Sequence, residues 1–369
     1  MSAIAWSSTT STAAPPDKSP DIRMHRRFRD LPMHPSAKLA DVKPSPIAVL
    51  AAIVVTACGS SSGQSVAPNS APNPATTTVL PTATTPLSAT VPATTPVEWV
   101  GPCGRSGAAP SAYDHVIWIW MENKDRGEVF DAATTPFMHS LAAACGTASN
   151  YVDHGIHPSL PNYIAATSGG TQGINDDQFP DKHPLTVDNI FRQVRAAGKV
   201  SRSYLEAMPS NCAVKSTAQY AVKHNPAAYY VGGDDRAACE RDNVPFDRFV
   251  PDLGGDLPAF SLITPDICHD MHDCPVATGD HWLADLVPAI TSSASYREGR
   301  TAVFIVFDES HGGGTTPFIA IAPTIAPGTV ASMELDHYAL LAFTEDALGV
   351  STRLGKAATA ASMHDAFAL

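Results

Sequence analysis

The chain has 369 residues, 44% of them hydrophobic, and a formal net charge of -12. That length suits one large domain with additions, and the apolar share is enough to bury a core. Residues 58–369 alone carry -15, which argues against nucleic acid as the natural partner, because phosphate backbones select basic surfaces.

Residues 1–57 read as a signal region. Ile47–Ala57 is an 11-residue uncharged run preceded by Lys38 and Lys43. It is too short to span a bilayer and fits the apolar centre of a secretory signal. The stretch before it is unlike a signal n-region, and Met33 is an alternative start that would give a 25-residue signal. Small residues followed by Cys58 resemble the lipobox of bacterial lipoproteins. The expectation is an exported protein, either secreted or held at the membrane through a lipid anchor on Cys58. The next segment, within 58–101, is a tether: Gly59–Pro96 is rich in Ser, Pro, Ala and Thr and holds no charge, so it cannot bury enough apolar surface to offset the entropy of ordering. Gly59–Gly63 matches the G-x-S-x-G pattern, but no strand precedes it and no helix follows, so it carries no hydrolase reading.

A single catalytic domain is expected over 102–369. His115–Met121 and Thr301–Phe307 are continuous apolar runs, as expected of strands buried on both faces. Ala259–Thr264 and Phe318–Ala322 are weaker strand candidates. Helical patterns fall at Pro136–Ala144, Val187–Ala197, His281–Thr291 and His337–Leu348. The alternation predicts an α/β fold with a mainly parallel central sheet sandwiched by helices. Beyond Cys58, six cysteines remain, and in an exported chain an even number points to disulfides. Six cysteines allow 15 pairings; proximity favours Cys103–Cys145, Cys212–Cys239 and Cys268–Cys274 without deciding among them.

Sites in such sheets form beyond the carboxyl ends of strands. The two strongest strands end in Glu122-Asn123 and Asp308-Glu309, oxygen donors that suit a hard divalent cation. Such residues are also common as turns and caps; finding both pairs after the two most apolar strands favours the metal. In His157-Pro158-Ser159-Leu160-Pro161-Asn162, two prolines stiffen the approach to a short helix, so Ser159 stands at a helix N-terminus whose N–H groups suit an oxyanion. Read alone, it fits a cap as well as a nucleophile. Cys268–Cys274 encloses His269, Asp270, His272 and Asp273; oxidised, it becomes a tight loop presenting His and Asp, with a His able to protonate a leaving alkoxide. No phosphate-loop, H-E-x-x-H, C-x-x-C or dinucleotide motif is present.

Together, HVIWIWMENKDRGEVF, HGIHPSLPNYIAATSGG, KHNPAAYY, DICHDMHDCPVATGDHWL, VFIVFDESHGGG and DHYALLAFTEDALG resemble, in order, the bacterial phosphoesterase family of acid phosphatases and phospholipases C. That family is a branch of the alkaline-phosphatase-like superfamily. The matching stretches are spread from residue 115 to residue 349. The chain most resembles the small secreted acid phosphatases, some of which act on phosphatidylinositol 3-phosphate. The resemblance implies a phosphomonoesterase with Glu122, Asn123, Asp308 and Glu309 as metal ligands; four oxygen ligands beside Ser159 are enough for one divalent ion, and all-oxygen ligation suits calcium, magnesium or manganese rather than zinc. It implies Ser159 as nucleophile, forming a phosphoserine, and His272 as proton donor. It implies Asn123, His157 and Asn225 around the phosphate. His269 receives no role. Ser310-His311 replaces a Gly-rich continuation. The expected partners are a phosphomonoester, with a phosphoinositide lipid among the candidates, and the membrane through Cys58; no nucleic acid and no protein partner is implied. A phospholipase C-type phosphodiesterase and a non-catalytic surface binding module are the alternatives. The chain ends about twenty residues after DHYALLAFTEDALG, which favours the monoesterase.

Overall fold

The apolar run His115–Met121 forms strand β1, buried along all but its first residue. Its side chains alternate between two cores: Val116, Trp118 and Trp120 enter one, Ile117, Ile119 and Met121 the other. This is the period-2 geometry of a strand covered on both faces. The computed structural model describes residues 101–312 and 314–369. The expected signal region, Cys58 and the expected tether up to residue 100 lie outside the described residues.

In chain order the remaining strands are β2 (Gly146–Ala148), β3 (Tyr151–Val152), β4 (Ser201–Leu205), β5 (Asn243–Pro245), β6 (Phe260–Thr264), β7 (Thr301–Phe307), β8 (Phe318–Ile321), β9 (Thr329–Ala331) and β10 (Leu335–Asp336). Eight of them form one sheet in the order β5-β4-β6-β1-β7-β8-β2-β9. The five from β5 to β7 run parallel, and β8 lies antiparallel to both β7 and β2. β3 and β10 make a separate parallel pair. Helices Ser159–Ser168, Ile190–Ala196 and His337–Ala347 pack in the first core; Pro136–Ala144 and Val276–Ser292 pack in the second. The expected helix-sandwiched, mainly parallel sheet is what the chain forms.

Register matters more than strand order for the site. β1 and β7 pair in parallel from His115–Thr301 through Met121–Phe307, so the residues that follow each strand emerge side by side. The disulfides are Cys103–Cys145, Cys212–Cys239 and Cys268–Cys274. Among the described residues no helix is long and apolar enough to cross a membrane.

Candidate active site

The first turn beyond β1 holds Glu122 and Asn123. Asn123 adopts a positive φ of 40°, a conformation Asn tolerates better than most residues. The bend directs its backbone N–H to Asp308 Oδ1 at 2.8 Å, which ties the two strand ends together. Asp308 is held in turn from its backbone: its N–H bonds Met121 O at 3.1 Å, and its carbonyl accepts from His337 Nε2 at 2.7 Å. Tyr151 Oη lies 3.0 Å from His337 Nδ1, so the network assigns Nε2–H as the donor toward Asp308. Burial pushes the His337 pKa down, which keeps this imidazole neutral in that role.

Ser159 opens the Ser159–Ser168 helix, with Pro158 at the N-cap. Its hydroxyl is buried and donates to Glu122 Oε2 at 2.9 Å. One turn on, Tyr163 Oη donates to Glu122 Oε1. The helix N-terminus is less open than expected, because the Leu160 N–H is taken by Asp177 Oδ1 at 3.0 Å. The helix ends at Gly169, whose φ of 75° and whose clearance favour glycine: a Cβ there would lie 2.2 Å from Leu354 O.

Glu122 sits in the buried carboxylate group. Desolvation, then the charges of Asp308 and Asp270, raise its pKa well above the usual range. Asp270 is raised to about 8, chiefly by burial, and Glu309 to about 7, by burial and then Asp308. Asp308 Oδ2, Asp270 Oδ2 and both ring nitrogens of His224 are buried without a hydrogen-bond partner among the described residues. His224 Nε2 stands 3.3 Å from Glu122 Oε2, and its Nδ1 stands 3.3 Å from Asp270 Oδ2. The ring stacks on Tyr163, and burial lowers its pKa to about 3, so it is a neutral imidazole. Unpaired acceptors packed around like charges are costly as they stand.

Glu309 Oε2 lies 3.1 Å from His157 Nδ1 and accepts from Asn162 Nδ2 at 3.0 Å. Ser310 donates through its N–H and Oγ to Asp153 Oδ2, at 2.7 and 2.9 Å, which anchors the chain directly beyond the acidic pair. His272 is exposed. Its Nδ1 pairs with Asp273 Oδ1 at 2.6 Å, and its Nε2 lies 3.5 Å from Lys223 Nζ. Lys223 also reaches Ser159 Oγ at 3.5 Å and Asp177 Oδ2 at 3.2 Å.

The structure therefore gathers Glu122, Asn123, Ser159, Asp308, Glu309 and His157 at one end of the sheet, with His272 joined through Lys223. The phosphate role for Asn225 needs correction. Its buried side-chain amide donates to Tyr220 Oη and Asn243 Oδ1, each at 2.8 Å, and its Oδ1 accepts from Asn243 Nδ2 at 2.8 Å. Neither donor is left for a ligand. Lys223, His224 and Asp177, which the sequence does not single out, stand among the site residues, as does Asp270 of the Cys268–Cys274 loop. K-H-N-P is the available signal: its Lys223 and His224 face Ser159 and Glu122, and its Asn225 faces Asn243. Glu206, Asp266 and His269 also bring ligand atoms within 4.8 Å of one another. There His269 Nδ1 lies 2.9 Å from Glu206 Oε2, whose other oxygen accepts from Trp282 Nε1; hydrogen bonds within the protein already occupy this trio.

Residues 114–351 match the model of the Phosphoesterase family. A phosphatidylinositol-3-phosphatase of Mycobacterium tuberculosis is 28% identical over 260 residues, 69% of this chain and 84% of that protein. A probable acid phosphatase of Kluyveromyces lactis is 28% identical over 253 residues, 64% of this chain but 58% of that protein. The chain thus spans little more than half of this yeast relative. A solved structure described as a protein in the alkaline phosphatase superfamily from Vibrio parahaemolyticus overlays with a TM-score of 0.47 at 12% identity, over 70% of this chain and 72% of that one.

Proposed function

Since this chain belongs to the Phosphoesterase family, we propose that it is a metal-dependent phosphomonoesterase acting through a phosphoserine on Ser159. The observation that carries this reading is the 2.9 Å bond from the Ser159 hydroxyl to Glu122, inside a buried group of acceptors that lack partners. A serine hydroxyl is a weak nucleophile until its surroundings activate it.

The residues fit a hard divalent cation. Glu122, Asn123, Asp308 and Glu309 offer oxygen donors, and the orphaned Oδ2 of Asp308 is an acceptor that a cation would satisfy. Asp270 and His224 stand beside Glu122 as further donors. Calcium, magnesium or manganese suits the carboxylate-rich set better than zinc. When bound, such an ion neutralises charge on the phosphate oxygens and favours the ionised nucleophile.

The chain's own groups do the rest. The Ser159 proton leaves along the bond to Glu122 Oε2. Ser159 Oγ forms a bond to phosphorus as the bond from phosphorus to the leaving oxygen breaks. His272 gives that oxygen a proton from Nε2, with Nδ1 held on Asp273. In the second half a water oxygen bonds phosphorus and gives a proton to His272, the Ser159 Oγ–phosphorus bond breaks, and Ser159 Oγ takes its proton back from Glu122.

The acid phosphatases and the phosphatidylinositol-3-phosphatase among the relatives support a monoester, and make a phosphoinositide the first lipid to try. The three disulfides support an oxidising compartment, hence export. Anchoring through Cys58 belongs to the same proposal. The test is phosphate release from p-nitrophenyl phosphate and from lipid and soluble monoesters, with and without chelator. Activity that survives both Ser159→Ala and thorough chelation would overturn the reading.

A further inference from the structure

Lys223 brings a positive charge to the nucleophile in an otherwise acidic site. Its ammonium lies 3.5 Å from Ser159 Oγ, 3.5 Å from His272 Nε2 and 3.2 Å from Asp177 Oδ2, and its side chain is 22% exposed. An ammonium carries three donors, and only Asp177 holds this one at full ion-pair strength. The other lysine of the site, Lys124, gives its ammonium to the carbonyl of Asn123. Asp177 is itself fixed by the Leu160 N–H at the start of the nucleophile's helix, so the lysine is aimed rather than loose.

We propose that Lys223 is the group that distinguishes a phosphomonoester from a phosphodiester, by pairing with a non-bridging phosphate oxygen beside Ser159 and His272. A monoester near neutral pH carries two negative charges on its phosphate, and a diester carries one. When Ser159 Oγ is placed to attack, the non-bridging oxygens lie within a few ångströms of it, and Lys223 Nζ stands 3.5 Å from the same atom. Among many carboxylates, the second charge of the monoester is costly unless a fixed cation meets it. A purely structural role, in which Lys223 only holds the Asp177 loop, would affect both substrate classes alike.

This inference rests on the phosphomonoesterase reading, and the experiment separates the two. Purified Lys223→Met, Lys223→Gln and Lys223→Arg are compared with the unmodified protein on p-nitrophenyl phosphate and methyl p-nitrophenyl phosphate; the diester is measured as a competitive inhibitor where it is not turned over. Inorganic phosphate is titrated as an inhibitor throughout. In Lys223→Met the monoester kcat/KM falls at least about tenfold more than the corresponding diester value, mainly through KM, and phosphate inhibition weakens in step. Lys223→Arg keeps most of the monoester preference because its charge persists. Lys223→Gln, which retains a donor for Asp177, gives the same comparison should the methionine variant fail to fold. Equal losses on monoester and diester with unchanged phosphate inhibition overturn the role of Lys223 alone. Full activity in Ser159→Ala overturns the function it rests on.

Discussion

Ser159 Oγ donates to Glu122 Oε2 across 37 residues of sequence, and this 2.9 Å bond places the proposed nucleophile against the first carboxylate beyond the central strand. Under the proposed mechanism, removing the hydroxyl deletes the attacking atom but little packing. Ser159→Ala is expected to lower kcat/KM for a phosphomonoester by about a thousandfold or more, with an unchanged melting temperature. Steady-state kinetics beside a thermal melt checks both halves.

Asp308 is fixed by three backbone contacts while its Oδ2 has no partner among the described residues. A chelator is expected to abolish turnover, with magnesium, manganese or calcium restoring it. Asp308→Asn preserves the acceptor for the Asn123 N–H but removes the charge. It should raise the metal concentration needed for half-maximal activity by at least about tenfold. A metal titration of the chelated protein measures this; an unchanged metal requirement would remove Asp308 from the ligand set.

Asn225 predicts a loss of stability rather than of phosphate affinity. Asn225→Ala leaves the buried Asn243 amide without its partner, at a cost of about 1–3 kcal/mol. Denaturant unfolding should show the loss, while the KM of the folded fraction stays near its original value.

Glu345 lies far along the chain from the catalytic segments and is fully buried. Its Oε1 accepts the Leu354 N–H at 2.8 Å, and its other oxygen has no partner among the described residues. Burial raises its pKa from 4.5 to about 8. The folded state therefore binds a proton that the unfolded state has already released between those values. This contribution to stability is complete below the unfolded pKa and is lost as pH rises through the folded one. Glu345→Gln should flatten the decline in melting temperature between about pH 4.5 and 8, with its largest gain over the unmodified chain at the alkaline end. Parallel curves for the two proteins would contradict this.

Cys103–Cys145 joins the start of the described chain to the end of the Pro136–Ala144 helix, across a separation of 42 residues. Replacing both cysteines by Ser is expected to cost about 4 kcal/mol on chain-entropy grounds. Chemical denaturation of the double variant measures it.

Hydrophobic patterning was enough to find the sheet. His115–Met121, Pro136–Ala144 and Thr301–Phe307 have the bounds their sequence patterns imply, because a strand buried on both faces must be apolar throughout and a helix against it must be apolar on one side. Those strands also located Glu122, Asn123, Asp308 and Glu309, since residues at strand ends are fixed by chain order. That β1 and β7 are neighbours was decided by tertiary pairing, and without it the two acidic pairs have no reason to meet. Lys223, His224 and Asn225 show the same boundary on a smaller scale. They fall at the end of a 3-10 turn, where successive side chains point about 120° apart. Lys223 turns to Ser159, His224 to Glu122 and Asp270, and Asn225 away to Asn243. Sequence determines that a polar run lies there; direction around a turn, and therefore which member reaches the site, is set only when the chain packs.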